Sequence, residues 1–341
     1  MKKAHLGTIV VPLFTAILAG ALSLRPNTKE MTLHALPYGF DTFNLSAPLP
    51  SCARWKEHMP KKRDPVAYGI YMKARKLWRS KLEFELTRQE ATRILSDVSK
   101  AAEMGDWGAH ALLAHFYLEG LGGLDSNRVL DSIPEKAIEI QRQAAKELQP
   151  WALYDLGVAY EHGYGGVPHD EKLAWAYYLR AAQLGSPDAQ MALASAYKKA
   201  GRLEDEETMW RCAYAQGHAP AAYALGMRAE VSQKADEAMY LYQQGVKFGS
   251  TKCAIALWFL FKDGKWAVAS DDEKVILKKL GIKPDAERTT RYRAIADVLE
   301  KNPDLRLGRL DEVLPLPPSP LPSWAGIEDA ISPEPSDPPT Y

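Results

Sequence analysis

A short pattern recurs five times along the chain and limits the possible folds more than any other feature. Two small residues, two variable ones and a glycine are followed by Ala, Leu and an aromatic residue at fixed distances. The first copy reads Ala101-Ala102-x-x-Gly105 with Ala109, Leu113 and Tyr117. The second reads Ala144-Ala145-x-x-Leu148 with Ala152, Leu156 and Tyr160, and the third Ala181-Ala182-x-x-Gly185 with Ala189, Leu193 and Tyr197. Weaker copies centre on Gly217, with Ala221, Leu225 and Ala229, and on Gly249, with Cys253, Leu257 and Phe261. An internal period of this kind marks a solenoid, which offers a long binding surface rather than one reactive cleft.

Ala, Leu and an aromatic residue four apart share one side of a helix. The stretch before each Gly carries a second apolar stripe, such as Ala174, Tyr178 and Ala181. Each unit is therefore a helix pair, and the chain is predicted to be an all-α, right-handed helix-pair solenoid of tetratricopeptide-like repeats. The small residues let neighbouring helices approach closely, and Gly suits the left-handed position that ends a helix. Leu148 breaks that rule. A left-handed Leu costs about 1–2 kcal/mol, so this helix is expected to end differently, helped by Pro150.

Two insertions stand out, Gly120 to Pro134 with the acidic residues Asp125 and Asp131, and the turn Gly163 to Pro168. Insertions in repeat proteins map to loops on one face, often the binding face. The first helix of each unit should also present a column to the concave side: Trp151 and Tyr154, Met191, then Tyr223 and Met227, interleaved with Glu161, His162 and Asp188. Large aromatic and Met side chains ringed by charge make a protein-binding hot spot, and the rival reading is that several of them are core.

Lysine plus arginine balance aspartate plus glutamate at 43 each, which sets nucleic-acid binding aside. Lys2 and Lys3 precede an uncharged run from Leu6 to Leu24, with a small-x-small site at Ala19-Gly20-Ala21, the build of an export signal peptide. An uncleaved anchor is the alternative, since the run approaches the roughly 20 residues that span a bilayer. Membrane contact is expected only in that case, and otherwise the protein is periplasmic. Of the three cysteines, Cys253 takes the small buried slot of its repeat, which leaves Cys52 and Cys212 as the better pair for a disulfide.

Outside the repeats, Asp64 to Phe84 reads as an N-terminal capping helix and Asp285 to Leu299 as a helix of a C-terminal cap. Pro315 to Trp324 is a proline-dense, extended tail, expected to dock on the solenoid through Leu316, Leu321 and Trp324, the alternative being an exposed ligand. The expected division is 1–21 signal peptide, 22–89 irregular segment and capping helix, 90–265 repeats, 266–312 helical cap and 313–341 tail. No nucleophile elbow, zincin motif, phosphate loop or clustered Cys/His spacing is present, so no catalytic residue, metal or cofactor is assigned.

The units, best seen in Ala181-Ala-Gln-Leu-Gly185-Ser-Pro-Asp-Ala189-Gln and in Leu156-Gly157 with Tyr160, resemble Sel-one-like repeats over roughly residues 90–265. Cys212-Ala-Tyr-Ala-Gln-Gly217-His218, Asp285-x-Glu-Arg288-x-x-Arg291-Tyr292 and Leu314-Pro-Leu-Pro-Pro318 with Trp324 resemble a subfamily of exported bacterial repeat proteins. That subfamily includes immunity proteins paired with phospholipase D-type effectors of type VI secretion. The resemblance implies a non-enzymatic inhibitor that binds a toxic phospholipase, with an acidic loop residue, Asp125 or Asp131, opposing the toxin's basic groups. The same repeats also serve as envelope scaffolds or signalling adaptors, which is the competing reading.

Overall fold

A computed structural model describes residues 36–262, 270–279 and 282–332, and places every copy of the pattern at a junction between two helices. The helices are α1 (Pro65–Arg79), α2 (Arg88–Glu103), α3 (Trp107–Glu119), α4 (Pro134–Lys146), α5 (Pro150–His162), α6 (Glu171–Gln183) and α7 (Pro187–Lys199). They continue with α8 (Leu203–Tyr214), α9 (Ala219–Val231), α10 (Ala235–Lys247), α11 (Thr251–Phe261), α12 (Asp271–Lys279), α13 (Ala286–Lys301) and α14 (Leu310–Val313). Among the described residues the β structure is confined to one isolated antiparallel bridge, Leu121–Leu130. Consecutive helices pack as pairs, α3 with α4, α5 with α6, α7 with α8 and α9 with α10, and each pair stacks on the next. The fold is an all-α solenoid. The proposed signal peptide lies outside the described residues.

The junctions share one hydrogen-bond scheme. Gly105, Gly185, Gly217 and Gly249 take φ between 79° and 94°, and the next residue donates its N–H back five positions, as Ser186 does to Ala181 O at 2.9 Å. Leu148 was expected to escape this geometry and does not. Its φ is 57°, and Gln149 N–H donates to Ala144 O at 3.2 Å as at the other junctions. The stack sets the turn, and one strained residue is tolerated because the packing of α4 on α5 depends on it.

Close helix approach explains the small residues. Ala109, Ala152, Ala189, Ala221 and Cys253 are all fully buried. A Cβ on Gly157 would meet the Tyr178 ring at 2.6 Å, and one on Gly226 would meet Tyr242 at 2.5 Å, so each glycine makes room for a tyrosine of the paired helix. The tyrosine hydroxyls then find carboxylates, Tyr178 donating to Glu161 Oε2 at 2.5 Å and Tyr242 to Glu230 Oε2 at 2.9 Å.

Segments at both ends of the chain lie on the stack. The stretch before α1 is tied to α8 by the disulfide Cys52–Cys212, with Cα atoms 5.0 Å apart, as the sequence indicated. Trp55 packs edge-on against Trp107 at the start of α3 and donates its backbone N–H to Gln216 Oε1 at 2.9 Å after α8, so the repeats converge along this edge. At the other end the proline-dense tail is docked. Arg291 donates to Val313 O at 2.8 Å and Pro322 O at 2.9 Å, and Arg288 donates to Ser319 O at 2.6 Å. Leu316, Leu321 and Trp324 pack on the core shared by α10, α11 and α13.

The two ends also meet. Arg75 of α1 forms a bidentate pair with Asp304, Nε at 2.7 Å and Nη2 at 2.9 Å, across 229 residues of sequence. Arg79 stands 3.6 Å from the same carboxylate, and Lys301 lies 3.8 Å from Glu85. The solenoid is thereby closed from its first helix to the loop after α13.

Candidate functional site

The closed solenoid surrounds a basin lined by the N-terminal halves of α5, α7, α9 and α11. One part, about 570 Å³, is lined by Asp188, Met191, His218, Tyr223, Lys252 and Arg306 among others. An adjoining part of about 290 Å³ is lined by Trp78, His115, Trp151, Tyr154, Asp155 and Asp188, and Arg75 and Arg79 border both. A separate apolar cleft of about 60 Å³ between α9, α10, α11 and α12 has few polar groups and is a packing gap. Among the described residues no cluster of three metal-ligating side chains exists.

The structure brings together Tyr154, Asp188, Met191 and Tyr223 of the column read from the sequence, half-buried on the basin wall. Others are placed differently. Trp151 is 1% exposed, packs in the core with Trp55 and Trp107, and donates its indole N–H to Gln149 Oε1 at 2.7 Å. It is core, although one edge borders the basin, and its cluster draws on both the repeats and the segment before them. Glu161 accepts from Tyr178 and so braces its own repeat. Met227 is 41% exposed and His162 is exposed, and neither lines the basin.

Asp125 and Asp131 lie on the insertion, both largely exposed and each 3.8 Å from Arg128. This loop is anchored on the N-terminal cap. Buried Asn127 donates to Glu83 O at 3.1 Å and Leu86 O at 2.8 Å, and Gly122 N–H donates to Glu83 Oε1 at 2.7 Å. The two acids are not among the residues that line the basin.

Sequence reasoning missed Asp155, His218, Arg75 and Arg79. Asp155 had a signal: the corresponding position of the other repeats is Leu112, Ala192, Ala224 and Ala256, so it is the one charge in an apolar column. His218 had another. It stands at the residue before α9, where Asp106, Ser186 and Ser250 accept from the backbone N–H of Ala109, Ala189 and Cys253, and it makes no such cap. The two arginines come from a distant helix and no repeat pattern points to them.

The electrostatics follow from burial. Burial, then the neighbouring Asp188 charge, pushes the Asp155 carboxyl up to about 7, against a weak donor, Gln141 Nε2 at 3.4 Å. Burial also raises Asp188, opposed by His218, while His218 is itself lowered by burial. Burial, then the charge of Asp188, raises Tyr154 above the ordinary phenol range. The wall therefore carries two carboxyls whose ionisation burial opposes, and Asp155 is the one that titrates near neutral pH.

Comparison with known proteins gives these features a context. The Sel1 repeat family matches residues 107–146, 152–186 and 219–247, leaving out α7 and α8, which nevertheless form the same helix pair. A domain of unknown function, DUF6396, matches residues 259–336, the stretch holding α13 and the docked tail. Immunity protein Pa5087 of Pseudomonas aeruginosa is 28% identical with a TM-score of 0.62, covering 80% of this chain and 96% of its own. Immunity protein PA5088 of the same organism is 27% identical with a TM-score of 0.60, covering 79% and 95%. P. aeruginosa PA5086 is 29% identical with a TM-score of 0.64, covering 80% and 97%. The chain is thus built on Sel1 repeats and is similar, over about four fifths of its length, to immunity proteins of P. aeruginosa.

Proposed function

We propose that the protein is a periplasmic immunity protein that neutralises a phospholipase D-type effector of type VI secretion by binding it and covering its active site. The observation that carries this reading is the likeness to immunity proteins at 27–28% identity along nearly their whole length. Identity at that level, together with the shared repeats and the matched C-terminal domain, supports a common mode of action. The role is non-enzymatic. A basin with Tyr154, Met191 and Tyr223 on its walls offers large, rigid contact area, the composition that dominates protein-binding energy. Asp125 and Asp131 act at the rim, where exposed charge steers approach more than it holds.

The test is a titration of the mature chain against the phospholipase encoded beside its gene. Activity falls to background near one equivalent, and the protein alone releases no product from phospholipid. Inhibition by trace amounts, or hydrolysis by the protein itself, would overturn the proposal. Mature protein recovered from the envelope fraction is expected to begin near Leu22, and recovery from the cytosol would exclude the periplasmic site of action.

A further inference from the structure

One wall of the basin holds polar groups that the fold itself satisfies only in part. Asp155 receives only the 3.4 Å contact from Gln141, and no lysine or arginine among the described residues pairs with it or with Asp188. His218 is nine-tenths buried, faces Asp188 with Nε2 at 3.6 Å, and that nitrogen makes no hydrogen bond. Gln141, 1% exposed, has an unpartnered Oε1 as well. Buried polar atoms in this state are uncommon in folded proteins, and several together beside two carboxylates point to a ligand.

The chemistry of the wall specifies the charge of that ligand. Two carboxylates flanked by the rings of Tyr154 and Tyr223 complement a cation, which gains from both the charges and the aromatic faces. The basic groups across the basin face other partners, Lys252 lying 5.9 Å over the Tyr223 ring and Arg79 Nε making no hydrogen bond. Arg75 is held by Asp304 and contacts the Tyr71 hydroxyl at 3.0 Å, Arg79 lies 3.8 Å over the Trp78 ring, and Arg306 donates to the carbonyls of Pro303, Asp304 and Leu305. Among the described residues none of them forms an ion pair with Asp155 or Asp188, which His218 alone faces.

We propose that Tyr154, Asp155, Asp188 and His218 form a receptacle for a cationic side chain, an arginine or lysine that the protein partner inserts into the basin and that donates to both carboxylates. This rests on the proposed toxin-binding role and names the chemistry of the contact. The titratable and charged groups around Asp155 and Asp188 are Tyr154, Glu161, Tyr164 and His218 on the wall, with His115, Arg75, Arg79, Lys252, Asp304 and Arg306 elsewhere around the basin. Ionisation of Asp155 favours the cation, so binding strengthens from pH 6 to pH 8.

The experiment follows the ring resonances of Tyr154 and His218 in the mature chain while N-acetyl-arginine amide, N-acetyl-lysine amide or N-acetyl-citrulline amide is added, the acetyl group removing the α-ammonium charge. The first two perturb both rings at millimolar concentration, whereas the citrulline amide, similar in shape but neutral, does not. Asp188→Asn weakens the arginine response about fivefold, the scale of one partly exposed ion pair. Equal response to citrulline amide, no response to either cation, or no effect of Asp188→Asn overturns the proposal. No toxin is present in this measurement. A failure here therefore leaves the inhibitor reading standing, and a toxin that the protein does not inhibit removes that reading while the receptacle remains measurable.

Discussion

Leu148 is the residue at which local preference loses most plainly to the stack. Its φ of 57° belongs to the region that glycine occupies at the other junctions, and its side chain is 39% exposed. Relief of the left-handed strain outweighs the extra chain entropy of glycine, so Leu148→Gly is expected to stabilise the protein by about 1 kcal/mol. Chemical denaturation of the two chains checks this. Asp155 offers the second test at this scale. Its folded pKa of about 7 lies above the unfolded value of about 3.9, so the folded state binds the proton more tightly. Stability is then lost as pH rises from about 4 to about 7, and the ionised group destabilises the fold above that window. Asp155→Asn is expected to raise the melting temperature at pH 8 by about 2 °C or more and to leave it nearly unchanged at pH 4. A gain of equal size at both pH values would mean that the effect is not ionic.

At the scale of elements, the sequence made the helix pairs legible because three positions per repeat recur with helical spacing, and all five small positions proved fully buried. Tyr154, Met191 and Tyr223, read as one column for the same reason, all line the basin, whereas Met227 does not. What it could not supply is whatever arrives from a distant segment. Trp151 looked like a surface anchor because Ala152 and Leu156 already accounted for the packing of α5, yet it is 1% exposed in a cluster that includes Trp107 and Trp55, the latter from the segment before α1. Tyr178 and Glu161 show the opposite case, a pair within one repeat whose contact is explained by Gly157 once the helices are placed. The docked tail was legible in Leu316, Leu321 and Trp324, but its anchors, Arg288 and Arg291, act through backbone carbonyls that carry no sequence signal. Arg291, 5% exposed, donates to Val313 O and Pro322 O and lies 5.4 Å from the Trp324 ring. Arg291→Ala leaves both carbonyls unpaired and is expected to cost about 3 kcal/mol. Limited proteolysis near Pro322 should accelerate with it, and an unchanged cleavage rate would show that the tail is held by apolar contacts alone.

For the whole molecule, the contact between α1 and the loop after α13 changes what the repeats can do. An open solenoid offers a long strip, whereas closure through Arg75 and Asp304 gathers the inner faces of successive repeats around one basin. Its walls are therefore preorganised, and less ordering cost falls on binding. The central claim is that the toxin is held by this basin and not by the exposed insertion at the rim. The most direct measurement is the affinity of the phospholipase for three chains: the natural sequence, Tyr223→Ala, and Asp125→Ala combined with Asp131→Ala, each checked for its melting temperature. Truncating Tyr223 is predicted to weaken binding about 30-fold, the equivalent of roughly 2 kcal/mol for a buried aromatic anchor, while the rim variant loses less than about threefold. A large loss from the rim variant with Tyr223→Ala binding at full strength would place the toxin on the insertion and contradict the account.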